Sequence, residues 1–438
     1  MNTLEQTTQL AIELIKQQKV SDFEISVGKS SGVSTTVRLS NVETLQYHLD
    51  TSFNVSVYIG KNKGQATSVD LSKASLKNAI ESACLIAKYT QEDPFNGLAP
   101  SERMAWDSPN LDLYYPWNLD ANKSIEIAKE CEQIALEQSE INNSDGAELS
   151  SFEGESVYAN SNGLIANLKS SRHSLYCSLI AKRGDEMQTA YEYSVAIDSN
   201  DLTAPSKIGL EAARLAQEKL GSRHLGPQQC PIIFTSRQSS GIFSQLLGAL
   251  SGSRQYKKTS FLLESLGSQV LPESISIYED PLKLKTLGSR AFDQDGVLKQ
   301  KQFFVEEGIV SSYLMGQYSA NQMGLESTAN AGGVSNCCVN SNFDGGITEL
   351  TKSMDRGLIV TDLMGHGVNA TTGDYSRGAS GFWVENGEIK YPVSGITIAG
   401  NLKDMLNNVV SIASDVDFRS NLKVGSTLIS EMTISGEG

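Results

Sequence analysis

His366 stands between two glycines in "LMGHGVNATTGDYSRG", where a loop side chain could meet a ligand. It is one of four histidines, with His48, His173 and His224, and none lies near another. No H-E-x-x-H, H-x-H or C-x-x-C occurs, so the chain holds no self-contained zinc pattern. The six cysteines, Cys84, Cys131, Cys177, Cys230, Cys337 and Cys338, are dispersed apart from the last adjacent pair. They read as buried thiols in a reducing cytoplasm.

Three short motifs mimic known chemistry. Gly365-His366-Gly367-Val368-Asn369-Ala370 fits G-x-G-x-x-A, but no helix pattern follows to receive a pyrophosphate. Gly28-Lys29-Ser30-Ser31-Gly32 satisfies G-x-S-x-G, yet it joins two strand patterns and reads as a turn, not as a strand-to-helix elbow. The same "GKSS" resembles the end of a P-loop, except that Phe23 occupies the place of the first glycine.

The dense glycines Gly365, Gly367, Gly373, Gly378 and Gly381 are expected between strands, with Thr371, Asp374, Ser376 and Arg377 interleaved. Glycines at that density allow close backbone passage or turns at positive φ. Two readings stay open: exposed strand edges that take an extended peptide, or a packed β-arch. On the first, His366, Asp374 and Arg377 line a peptide cleft.

The elements that would position these residues follow from periodicity. Helices are expected over residues 3–18, 72–89 and 119–139, the last capped by Asp120, and over 206–220, 239–250 and 402–408. A strand meander fills 22–60, and 146–197 is strand and turn, with tips at Asn162-Gly163 and Arg183-Gly184-Asp185. Glu307-Gly308 and Asn386-Gly387 mark further hairpins. The fold class is α+β: a small N-terminal α/β domain over 1–90, a linker over 91–118, a central α+β domain over 119–225, and a β-rich, barrel- or sandwich-like domain with few helices over 226–438.

A net charge of −15 excludes a general affinity for nucleic acid or anionic lipid. No apolar run approaches the roughly 20 residues of a membrane span, and the first residues lack an export signal, so a cytoplasmic location is expected.

"LMGHGVNATTGDYSRGASGFWVENGEIKYPVSGITIAGNLKDML" resembles the C-terminal signature of the PmbA/TldD family, on its PmbA (TldE) branch. "EDPFNGLAP", "LDLYYPW", "ANSNGLIANLKSSRHSLYCSLIA", "GALSGSRQYKKTSFLLESLG", "GSRAFDQDGV" and "LESTANAGGVSN" agree with it in order along the chain. The resemblance implies one subunit of a cytoplasmic two-subunit zinc metalloprotease that trims unfolded peptides, including precursors of peptide antibiotics (microcins). In that family the TldD-like subunit carries H-E-x-x-x-H. Carried across, the motif falls on "SQLLGA", with Ser244 and Ala249 at the histidine positions and Gln245 at the glutamate. "DVDFRSNLKVGS" also lacks the family's further cysteine ligand. The expectation is a non-catalytic subunit with no cofactor of its own, zinc residing in a TldD-like partner. Dimerisation is expected as well, homodimeric when the chain is alone, with Leu246, Leu247 and Leu250 as an apolar face needing cover. A hydrolase with another catalytic group and a pure peptide-binding protein are the alternatives.

Overall fold

The computed structural model describes residues 3–436. Helix α1 (Leu4–Lys16) opens on Thr3, whose side chain accepts the Gln6 N–H in a reciprocal capping box. Strands β1 (Asp22–Arg38), β2 (Asn41–Ile59) and β3 (Asn62–Ser68) follow, then α2 (Lys73–Tyr89), capped by Ser72. Helix α3 (Ala121–Leu136) starts at Asp120, which accepts the Lys123 N–H. Strands β4 (Ile141–Asn160), β5 (Ile165–Arg183) and β6 (Glu186–Ala196) lead to α4 (Pro205–Glu218).

These six strands form one antiparallel sheet in the order β3-β2-β1-β4-β5-β6. The boundary expected at 91–118 therefore divides the chain but not the sheet, because β1 pairs with β4 across it. Alternation along β1 puts Phe23, Ile25 and Val27 under α1 and α2, and Val37 under the α3 and α4 core, on one face. Thr35, on that same face, bonds to Ser124 of α3.

The expected turn at Gly28–Gly32 is absent: β1 runs through it without a break. The reason lies far away in sequence. At Gly32 a Cβ would meet the Phe152 ring and the Ser151 carbonyl at 2.4 Å, so the glycine admits β4 rather than turning the chain.

The C-terminal part begins with β7 (Gln228–Phe234), α5 (Ser236–Ala249) and the short α6 (Gly252–Tyr256). Then come β8 (Ile277–Glu279), β9 (Gln302–Glu306), β10 (Ile309–Val310), α7 (Gln317–Met323), β11 (Cys337–Val339) and α8 (Ile347–Met354). The chain ends in β12 (Gly357–Met364), β13 (Asp374–Glu385), β14 (Glu388–Asn401), α9 (Leu402–Asn407), β15 (Val409–Ile412), β16 (Leu422–Lys423) and β17 (Thr427–Gly436). The order β14-β13-β12-β7-β17 closes on itself through β14–β17 pairing, which makes a barrel with β15 attached to β17. A second sheet, β10-β9-β8-β11-β16, stands beside it. The class is α+β and strand-rich, with more short helices than periodicity suggests.

Gly378 and Gly381 lie inside β13, not between strands. At Gly381 the register shifts against both neighbours, and a Cβ there would sit 1.8 Å from the Ile359 carbonyl. Such a bulge bends the strand so that the barrel can close.

Candidate cleft along helix α5

Helix α5 is amphipathic. Ile242, Phe243, Leu246, Leu247 and Ala249 enter the barrel core, while Gly241 and Ser244 are exposed and Gly248 is half-buried. Leu246, Leu247 and Leu250 are thus covered within the chain, so they supply no face for a second subunit.

Beside the outer side of α5 lies a cleft of about 590 Å³ lined by Ser244, Gly248, Asp295, Tyr318, Gly332 and Gly333, among others. Its far wall, the loop 330–335, is anchored from below. Glu279, fully buried, pairs with buried Lys299 at 3.1 Å and accepts from Gln302, Asn330 and the Ser335 N–H. Asp293 accepts the Ala331 N–H at 3.0 Å, and also those of Asp295 and Val297. Burial, reinforced by the neighbouring Asp295 carboxylate, pushes the Asp293 carboxyl up to about 7. Asp295 is raised too, by burial, against the Gln317 N–H that it accepts at 2.7 Å. The linker is tied to α7 behind it: Tyr318, which lines the cleft, donates to Asp93 at 2.6 Å, and Asn321 donates to the Phe95 carbonyl at 2.8 Å.

Zinc does not fit the family's metal positions here. Ser244 reaches the cleft with a hydroxyl, Gln245 beside it has a neutral carboxamide, and Ala249 is fully buried in the core. Of these positions the structure brings Ser244 to the cleft and turns Ala249 away. The histidines lie elsewhere. His173 is buried between the Ser151 hydroxyl and the Tyr115 carbonyl, each at 2.9 Å. His48 bonds to Ser34 and packs on Phe152, and His224 lies against Gly395.

His366, Asp374 and Arg377 are not part of this cleft's lining. His366 is exposed in the loop between β12 and β13, its carbonyl accepting the Val368 N–H. Asp374 begins β13 and holds that loop, accepting from Thr372 at 2.6 Å and from Asn401 at 3.4 Å. Arg377 is half-buried in β13, with a buried Nε that has no partner among the described residues. β13 pairs with β12 on one side and β14 on the other, and the loop before it folds back through a Val368–Tyr375 bridge, so this region is packed structure.

Sequence reasoning passed over Asp295 and the loop at Gly332-Gly333. The double glycine in "LESTANAGGVSN" was the available signal, but only folding places it opposite α5.

A barrel-bearing C-terminal unit, a helix-backed long sheet and a cleft along one helix define a two-part, strand-rich α+β class of protein. Residues 23–87, 114–220 and 227–436 match PmbA/TldA metallopeptidase domain 1, central domain and C-terminal domain, respectively. The chain belongs to the PmbA/TldD metallopeptidase family, on its PmbA branch. It is 45% identical to the metalloprotease PmbA homolog of Haemophilus influenzae over 99% of this chain and 96% of that one. It is 41% identical to metalloprotease PmbA of Escherichia coli O157:H7, over 99% and 96%. A crystal structure from Bacteroides thetaiotaomicron, described as a putative modulator of DNA gyrase, superposes with a TM-score of 0.93 at 26% identity, covering 99% of each chain. A metalloprotease TldD homolog of H. influenzae is a more distant relative, 22% identical over 84% of this chain and 80% of its own. Among the described residues no helix is long and apolar enough to cross a membrane.

Proposed function

We propose that this chain is the PmbA-type subunit of a two-subunit cytoplasmic zinc peptidase, supplying cleft walls while a TldD-like partner holds the metal. Unfolded peptides, including microcin precursors, are its substrates, and the chain forms a homodimer when no partner is present. The carrying observation is the side of α5: at the family's metal positions the cleft receives a serine hydroxyl, and the second histidine position lies inside the core. H. influenzae contains both a PmbA-type and a TldD-type relative, which supports a paired assembly.

A zinc peptidase draws its rate from a metal-lowered water pKa and a positioned base. This chain supplies neither at Ser244 and Gln245. The test is a peptidase assay on each subunit alone and on the pair, using unstructured peptides. Activity is expected of the pair and not of this chain. Hydrolysis by this chain alone, inhibited by a chelator, overturns the reading.

A further inference from the structure

Several arginines of this acidic chain are matched with carboxylates: Arg183 with Glu140, Arg214 with Glu211 and Glu218, and Arg237 and Arg419 with Glu192. Arg172 of β5 and Arg290 are not. Both are exposed, and among the described residues neither guanidinium has an ion-pair or hydrogen-bond partner. Both line one cleft of about 340 Å³, where β5 meets the C-terminal part. A guanidinium presents a rigid fork of donors matched to a carboxylate.

The rest of the cleft points the same way. Ser289 lines it and is buried, with a hydroxyl that has no partner among the described residues. Lys423, buried and outside the lining, donates to the carbonyl of the lining residue Leu287 and to Asn336, with no carboxylate within ion-pair reach among the described residues. The one acid and the one lysine in the lining are already engaged: Asp293 with three backbone N–H groups and Lys299 with Glu279. The charge left free in the cleft is positive.

The cleft shares Leu113, Ser170, Ser289 and Arg290 with a larger trough of about 980 Å³. That trough crosses the helix-free face of the long sheet, over Gly28, Ser30, Ser52, Gly154 and Ser156. Small residues there leave room for a chain lying on the sheet.

We propose that Arg172 and Arg290 bind the free C-terminal carboxylate of a peptide whose preceding residues run back along this trough. That the ligand is a peptide rests on the subunit reading above, whereas the carboxylate preference rests on the cleft itself.

The test is fluorescence anisotropy on the purified full chain, without a partner, using an N-terminally labelled Gly/Ser/Ala hexapeptide and its C-terminal amide. The amide is expected to bind at least roughly tenfold more weakly, the loss of one charge-assisted fork. Arg172→Gln/Arg290→Gln should abolish the difference, and its melting temperature, with that of Ser289→Ala, reports folding. The acid-against-amide comparison needs no variant and stands if the double variant does not fold. Equal affinity for acid and amide, or no binding of either, overturns the proposal. So does an unchanged preference in the folded double variant. Displacement by N-acetylalanine or inorganic phosphate as effective as by unlabelled peptide makes this a small-anion site and overturns it too. No hydrolysis enters the measurement, so an inactive subunit pair leaves this result intact. Loss of the carboxylate preference likewise leaves the inactive-subunit reading standing.

Discussion

Ser244 and Ala249, five positions apart on α5, face opposite surroundings: Ser244 is exposed at the cleft, while Ala249 is fully buried in the barrel core. In a regular helix such positions are about 140° apart, so the two cannot share a ligand without distortion. Replacing Ala249 with His forces an imidazole into packed space. Ala249→His should cost about 1–3 kcal/mol by overpacking, whereas Ser244→His should leave the melting temperature nearly unchanged. Calorimetry on the two single variants decides it, and equal melting temperatures would place Ala249 outside the core.

The barrel bulge gives a sharper contrast between neighbouring glycines. A Cβ at Gly381 would lie 1.8 Å from the Ile359 carbonyl, but at Gly378 the nearest contact is the Met364 Cβ at 3.4 Å. Gly381→Ala is expected to destabilise by about 1–3 kcal/mol or to prevent folding, and Gly378→Ala to be tolerated. Urea unfolding of both measures this; similar midpoints would contradict the bulge.

Local signals made much of this legible. Asp120 announced its helix, and Asn162-Gly163 and Asn386-Gly387 their hairpins, because caps and tight turns are decided within a few residues. Gly32 misled, since the Phe152 ring that explains it arrives from β4. The same distance hid the joining of β1 to β4 into one sheet. Helices α6 and α7 are too short to show a period. At the site, the family resemblance marked Ser244, Gln245 and Ala249, but not the inward turn of Ala249. Nor could spacing reveal that Arg172 and Arg290 meet at one cleft.

Acid should stabilise the chain before it destabilises it. Burial holds Asp293 near 7, against an ordinary 3.8, and raises Asp295 and Glu24 as well. A carboxyl whose folded pKa is raised contributes stability fully below its unfolded pKa and loses it as pH rises through the folded value. The window for Asp293 is therefore about pH 4 to 7. Urea midpoints should rise as pH falls from 7.5 to 5, and Asp295→Asn, which removes one repelling charge, should flatten that slope. An identical slope in the variant would deny the coupling.

The buried pair beneath the 330–335 loop should matter to its order. Lys299→Met leaves Glu279 buried without its cation, which typically costs about 3–5 kcal/mol. Because Glu279 also holds Asn330 and Ser335, amide exchange should accelerate through the loop before it does in β1 or β4. Uniform acceleration along the whole chain would make the pair a general stabiliser instead.

The last prediction joins the cleft to activity. Ser244 is exposed and its side chain holds no buried bond, so Ser244→Trp should fold normally while filling part of the space beside α5. If peptide passes that space in the assembled pair, turnover should fall by up to roughly a hundredfold, the scale set by misplacing a bound chain relative to the reacting group. The partner's zinc content should not change. Asp374→Ala should act differently, since Asp374 ties Thr372 and Asn401 in a loop away from this cleft: stability should fall, with turnover following only to that extent. Arg377→Ala removes a half-buried guanidinium that also lies outside the cleft, so the same assay asks whether the barrel loop takes part. Unchanged turnover with Ser244→Trp, alongside a drop with folded Arg377→Ala, would move the peptide path from α5 to the β12–β13 loop.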